Sequence, residues 1–338
     1  LRESKNVLVH PAILALTMGS VLVCLMLLAS CGVGVRILRC WNIRSGSELQ
    51  LILERRTYLI STVMAYALVF QLLSLFLFLY TADRLAVLFV GAMCAAGSLH
   101  ANSWGYAALA LKIVNFILAG LWLIINFLDN RGYDYPLIRL KCGLLILVAP
   151  WVVAETVLQT AYFTGLEPNV ITSCCGTLFT SEAEGTASGA WILPPVPVET
   201  AYYSTVLLTL ALGIRFHRSG RGLVPFTGMN AATFVCSVLA LMSFVSLYIY
   251  ELPTHHCPFC ILQSEYGFIG YPLYLTILGG AVFGLGVAVV APFRRKPSLA
   301  EIVPRIQKRL TLLALGCHAA NVAVVLKATF VSNLRLHM

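Results

Sequence analysis

The sequence predicts an all-α, polytopic helical membrane protein. Three observations carry this: 59% of residues are hydrophobic and 11% charged, mean hydropathy is +0.86, and apolar runs close to or above ~18 residues recur along the chain. About eight transmembrane helices are expected, with one re-entrant or half-span segment. A formal charge of +9 is no signal for nucleic acid, because the basic residues sit in short loops between apolar runs, where positive charge fixes topology.

The spans read at 8–30, 58–80, 106–128, 142–163, 200–215, 230–250, 271–292 and 310–331. The first has no small-residue cleavage site after a short apolar region and reads as a retained span rather than a leader. Ser47 and Glu48 suit the start of a helix that runs into the second. The third and fourth spans carry Lys112 and Glu155, and Asn130-Arg-Gly-Tyr-Asp-Tyr-Pro136 has turn chemistry between them.

The apolar piece at 85–99 is too short for a span, at ~1.5 Å per residue only about 22 Å against a ~30 Å hydrocarbon core. Its run Gly91-Ala-Met-Cys94-Ala-Ala-Gly97 is rich in small residues. A half-helix there, returning to the same face, gives the loops around it matching sides, and such broken elements often line a cavity.

Loops holding Arg36, Arg39, Arg44, Arg55 and Arg56; Arg131, Arg139 and Lys141; Arg215, Arg218 and Arg221; and the run from Arg294 to Arg309 are basic and expected in the cytoplasm. Loops 164–199 and 251–270 contain acidic residues and no Lys or Arg, so both are expected outside. In a bacterial inner membrane that face is the oxidising periplasm. The organisation expected is N-terminal helices over 1–141 with a broken segment near 85–105, a four-helix bundle over 142–292, and a basic loop with a last helix over 293–338.

Seven of the eleven cysteines lie in or beside apolar segments, among them Cys94, where a cysteine acts as a small hydrophobe. The other four stand in the two outer loops as Cys174-Cys175 and His255-His256-Cys257-Pro258-Phe259-Cys260. A Cys-x-x-Cys pair closes a disulfide at low strain. At a helix start its first thiol is acidified, Pro258 suits a first turn, and His256 can steady a thiolate. Adjacent cysteines close only a strained disulfide, which exchanges readily. A static clip between the two loops is the plain structural alternative.

Four spans over 142–292, a cysteine pair in the first outer loop and Cys-x-x-Cys before the fourth span resemble the vitamin K epoxide reductase family. The run Cys257-Pro-Phe-Cys260-Ile-Leu-Gln263, followed by Tyr271-Pro272-Leu273 and Ile277-Leu278-Gly279, resembles the quinone-linked bacterial disulfide oxidases related to DsbB. Ser264 and Glu265 stand where those oxidases carry an arginine, and neither family has the first four spans. The resemblance implies Cys257 and Cys260 beside a quinone, with Cys174 and Cys175 drawing electrons from a periplasmic thiol protein. Gln263, Lys112, Glu155 and His100 are candidate cofactor contacts. Lys112 with Glu155 is equally an intramembrane ion pair, with Asn115 and Gln159 beside it.

The function expected is an integral membrane thiol–disulfide oxidoreductase linking a periplasmic partner to a membrane quinone. The alternative is soft-metal handling, most naturally Cu(I), by Cys174, Cys175, His255, His256, Cys257 and Cys260, with Met93 as a further soft donor. Zinc or an iron–sulfur centre on the four loop cysteines, a transporter, and a non-catalytic subunit of a respiratory complex complete the alternatives.

Overall fold

The computed structural model describes residues 10–42, 45–167, 172 and 193–334. In chain order the helices are α1 (Pro11–Cys40), α2 (Glu48–Leu85), α3 (Ala95–His100), α4 (Trp104–Asp129), α5 (Ile138–Thr164), α6 (Pro195–Ser219), α7 (Leu223–Ala240), α8 (Ser246–Tyr250), α9 (Gly270–Val290) and α10 (Ile302–Val331). The protein is all-α and multi-pass: among the described residues seven helical stretches are long and apolar enough to cross a bilayer, namely α1, α2, α4, α5, α7 continued through α8, α9 and α10. The 25-residue α6 matches the expected 200–215 span in place but carries enough polar side chains, from Glu199 to Arg218, to fall outside that set. Large apolar side chains such as Met18, Leu25, Leu73 and Leu147 lie exposed along these helices. In water such surface would be a liability; in lipid it is the natural outer face.

Local sequence explains the helix ends. Pro11 and Pro195 occupy first-turn positions, where a missing N–H costs nothing. The Ser47 hydroxyl accepts from the Gln50 N–H at the start of α2. Gly220 and Gly222 turn the chain between α6 and α7 with φ of +66° and +94°, a region open to glycine at no steric cost.

The helices group into two compact units. The first comprises Leu1–Thr81, Asn102–Pro168 and Val289–Ile306; the second comprises Ala82–Ala101, Asn169–Ala288 and Gln307–Met338. This departs from the contiguous blocks expected from sequence. The span at 142–163, grouped there with the cysteine loops, lies in α5, which packs on α1 and α4 in the first unit. Its interface with α1 is closed by small contacts, with Gly34 against Cys142. Periodicity reports that a helix has an apolar face, not which neighbour covers it.

Two buried ion pairs hold the first unit. Lys112 Nζ lies 2.6 Å from Glu155 Oε1. Glu155 also accepts from Asn115 Nδ2 at 2.5 Å and from the Gln71 amide, while Lys112 donates to Ser74 and sits 5.3 Å from the Phe78 ring centroid. Gln159, expected in the same group, pairs instead with Ser20. The second pair joins Lys141 Nζ to Asp129 Oδ2 at 2.7 Å, with the Leu137 N–H on Asp129 Oδ1. Lys141, read from sequence as a loop charge, is thus a buried partner.

The second unit packs α6 against α7. It carries its own polar contacts, Tyr202 to Asn321, Thr209 to Thr233, and His318 Nε2 at 2.8 Å from Asn230 Oδ1. The segment expected as a half-helix over 85–99 also belongs here. It consists of a 3-10 turn at Ala86–Leu88, a non-helical link, and the six-residue α3.

Candidate functional site: a buried cluster of three thiols

The site forms where the broken segment meets the loop between α8 and α9, both within the second unit. Cys94 stands at the N-cap of α3 in extended backbone, with its carbonyl accepting from the Gly97 N–H. Ala95 and Ala96 follow it fully buried, and Ser98 Oγ donates to the Ala82 carbonyl at 2.5 Å. Small side chains let this short helix sit deep. On the link before it, Val90 accepts from the Thr172 N–H at 2.9 Å. Gly91, at φ +85°, passes so close to Thr172 that a Cβ would lie 2.5 Å from the carbonyl oxygen.

The Cys-x-x-Cys loop is held from several sides. Tyr250, at the end of α8, donates to the Cys257 carbonyl at 2.6 Å, and Tyr274 of α9 donates to the Pro258 carbonyl. Cys260 opens a 3-10 turn to Leu262, closed by Leu262 N–H on Phe259 and Gln263 N–H on Cys260. Gln263 Nε2 then donates to the Met93 carbonyl at 2.6 Å and to Asp83 Oδ1 at 3.2 Å. Hence Gln263, expected at a quinone, fastens the loop to the residue beside Cys94. A Cβ at Gly270 would lie 2.9 Å from Ile261 Cγ1 and from Leu262 Cδ2, so glycine there lets the loop pack closely on the start of α9.

These ties bring three thiols together. Cys94 Sγ and Cys257 Sγ are 3.7 Å apart. The sulfurs of Cys94, Cys257 and Cys260 all lie within 4.8 Å of one another, and all three residues are buried. Cys94 was read from sequence as packing. The usable signal was its place in a short, broken, small-residue segment; which loop faces that segment is a tertiary fact.

The expected helix-start setting of the thiol pair is not found. The helix α9 begins only at Gly270, with two 3-10 turns intervening after Cys260. Nor is the Cys257 thiol acidified: a hydrogen bond with Cys260 holds it well above the ordinary thiol range, burial adds to that, and the hydrogen bond with Cys94 opposes it. His256, expected to steady a thiolate, is half of the pair just before Cys257 and is itself buried. Its Nδ1 lies 2.9 Å from the Met242 carbonyl. His255 packs edge-on against Tyr250, ring centroids 4.5 Å apart, and burial followed by the neighbouring His256 lowers its pKa.

His100 ends α3 with its side chain exposed. Lys112 and Glu155 meet each other, but in the first unit, where the buried pair is already neutralised by its own partners. Cys174 and Cys175 lie outside the described residues.

Three buried sulfurs of this spacing can do two things. They can exchange a disulfide among themselves, or they can surround one soft ion. Metal–sulfur bonds of ~2.3 Å in a trigonal array set the sulfurs about 4 Å apart, close to the 3.7 Å between Cys94 and Cys257 and inside the 4.8 Å limit that holds for all three. Comparison of the chain with protein families, with curated proteins and with solved structures gave no match.

Proposed function

We propose that this chain is an integral membrane protein that binds a soft monovalent metal ion, Cu(I), through Cys94, Cys257 and Cys260. The observation that carries the reading is the third thiol: a disulfide needs two sulfurs, and Cys94 is supplied from a separate part of the chain to within 3.7 Å of Cys257. An all-sulfur set of three suits Cu(I), whose preference is for soft donors. Zinc asks for four ligands, and among the described residues no fourth His, Cys, Asp or Glu joins the group. Protons leave the thiols as the ion arrives, so metal uptake rises with pH. The ionised sulfurs then share the ion's charge instead of standing as bare buried anions.

The test is metal content of the full chain, purified in detergent under reducing, anaerobic conditions and titrated with Cu(I) against a chromogenic chelator. One ion per chain is expected, bound more tightly than Zn(II). Failure to take up Cu(I) while the thiols remain reduced would overturn the reading.

A second reading rests on the Cys257-x-x-Cys260 spacing: a membrane thiol–disulfide oxidoreductase of the kind the sequence resembles. Oxidation of that dithiol to a disulfide releases two electrons and two protons, which convert a quinone to its quinol. Cys94, giving up its proton, would then attack the Cys257 sulfur, so that a Cys94–Cys257 disulfide forms as the Cys257–Cys260 bond breaks and Cys260 leaves as a thiolate that takes up the proton. Reduction of a quinone analogue by the reduced, metal-free protein would favour this reading, and one disulfide would form per quinol.

A further inference from the structure

We infer that the first unit carries a binding site for one anionic phospholipid, in the groove between α1 and α2. The groove has a volume of about 710 Å³, within the ~300–1,000 Å³ of ordinary ligand sites. One wall is the α1 face from Met26 to Val33, at positions i, i+3, i+4 and i+7. The other is the matching α2 face from Ile52 to Val63. Two such stripes would close on each other in a tight helix pair; here they leave an apolar slot.

The charged side chains of the slot lie towards one end, and Ser30, the other polar lining residue, turns its hydroxyl back to the Met26 carbonyl. Arg55 and Arg56 line the slot, and the remaining α2 positions to Val63 continue for two more turns of apolar residues. The two helices are joined by a short connection, so Val33 of α1 and Ile52 of α2 sit towards the connected, basic end. Arg36 and Arg39 stand near that same end of α1. Both groove arginines are exposed, and among the described residues neither forms an ion pair with a carboxylate. An apolar slot of ~12 Å, eight residues of helix, with a doubly cationic mouth matches an acyl chain under a phosphate. Basic pockets between transmembrane helices take anionic headgroups in this manner. The site is independent of the thiol cluster.

Native mass spectrometry of the full chain in detergent tests it, with phosphatidylglycerol and phosphatidylcholine offered in turn. Wild-type protein should retain phosphatidylglycerol roughly 10–30-fold better, the gain expected of two surface arginines acting on an anionic lipid. Arg55→Gln with Arg56→Gln should remove that preference. Arg218→Gln with Arg221→Gln, an exposed basic pair at the turn from α6 to α7 that does not line this groove, should leave it intact. Ala29→Trp, which fills the slot, should weaken retention of both lipids, and an unchanged melting temperature shows that the variant is folded. If Ala29→Trp folds poorly, Leu59→Trp makes the same test from the other wall. Equal loss in both arginine pairs would mean diffuse surface charge and overturn the site. So would displacement of the lipid by millimolar inorganic phosphate together with indifference to the slot-filling variants, the pattern of a free-phosphate site.

Discussion

The sulfurs of Cys94 and Cys257 come within 3.7 Å although the residues are 163 positions apart in the chain. No local pattern dictates this closeness. It depends on Gln263 holding the loop to the Met93 carbonyl and on Tyr250 holding the Cys257 carbonyl. A site assembled by such ties should be sensitive to each thiol and insensitive to cysteines elsewhere. Cys94→Ser should therefore weaken Cu(I) binding by at least ~10-fold, since even groups that only support a ligand account for ~10–100-fold. Cys40→Ser, at an exposed helix end, should leave it unchanged. The same chelator competition reads both, and equal affinities for the two variants would remove Cys94 from the site.

Protonation sets the second expectation. The Cys257 pKa is raised, by the Cys260 hydrogen bond first and by burial. The metal-free protein should thus keep this thiol protonated through neutral pH and be alkylated slowly at pH 7.5. The sign for stability follows: a folded-state pKa above the unfolded value of ~8.5 favours the folded state fully below that pH, and the benefit disappears as pH rises through the folded value. Melting temperature should fall on going from pH 7 to pH 10, with thiolate absorbance appearing only in the alkaline limb. Rapid alkylation of Cys257 at pH 7 would contradict the buried, protonated thiol.

The ion pair in the first unit gives a third expectation. Lys112→Met strands the Glu155 carboxylate among Gln71 and Asn115, and breaking a buried pair costs about 3–5 kcal/mol. Lys112→Met with Glu155→Gln should be less destabilised than Lys112→Met alone, because no bare charge remains. Thermal unfolding in one detergent compares them, and strict additivity would show that the two charges do not neutralise each other.

What was legible in the sequence follows from how local each cause is. Bilayer-crossing helices announce themselves through long apolar runs, and each of the eight expected spans overlaps a long helix among the described residues, seven of them apolar enough to cross. The Lys112–Glu155 pairing was visible as well, because an ionisable group in an apolar run demands a partner. Helix partnership was not: α5 has an apolar surface that suits several neighbours, and only packing chose α1 and α4. Lys141 looked like a topology signal until Asp129, twelve positions earlier, turned out to bury it. At the site, the Cys-x-x-Cys pair was legible from spacing alone. Its helix-start setting was inferred from the next apolar run, and the two 3-10 turns before α9 are too short to leave a periodic signature. The third thiol was hidden by being apolar company to its neighbours.

The backbone that carries Cys94 supplies the last expectation. Gly91 combines φ +85° with a Cβ position 2.5 Å from the Thr172 carbonyl oxygen, so Gly91→Ala meets both a left-handed backbone and a collision with main chain, which cannot swing aside as a side-chain tip could. The left-handed conformation alone costs an L-residue about 1–2 kcal/mol. Gly228, inside α7, is the contrast: nothing lies within 4 Å of its Cβ position, and Ala is favoured over Gly in a helix by about 1 kcal/mol. Gly228→Ala should hold or raise the melting temperature, whereas Gly91→Ala should lower it. Because the displaced link leads directly into Cys94, Gly91→Ala should also weaken Cu(I) binding while Gly228→Ala does not. A Gly91→Ala variant with wild-type stability and full metal affinity would show that the close pass at Thr172 plays no part in placing the third sulfur.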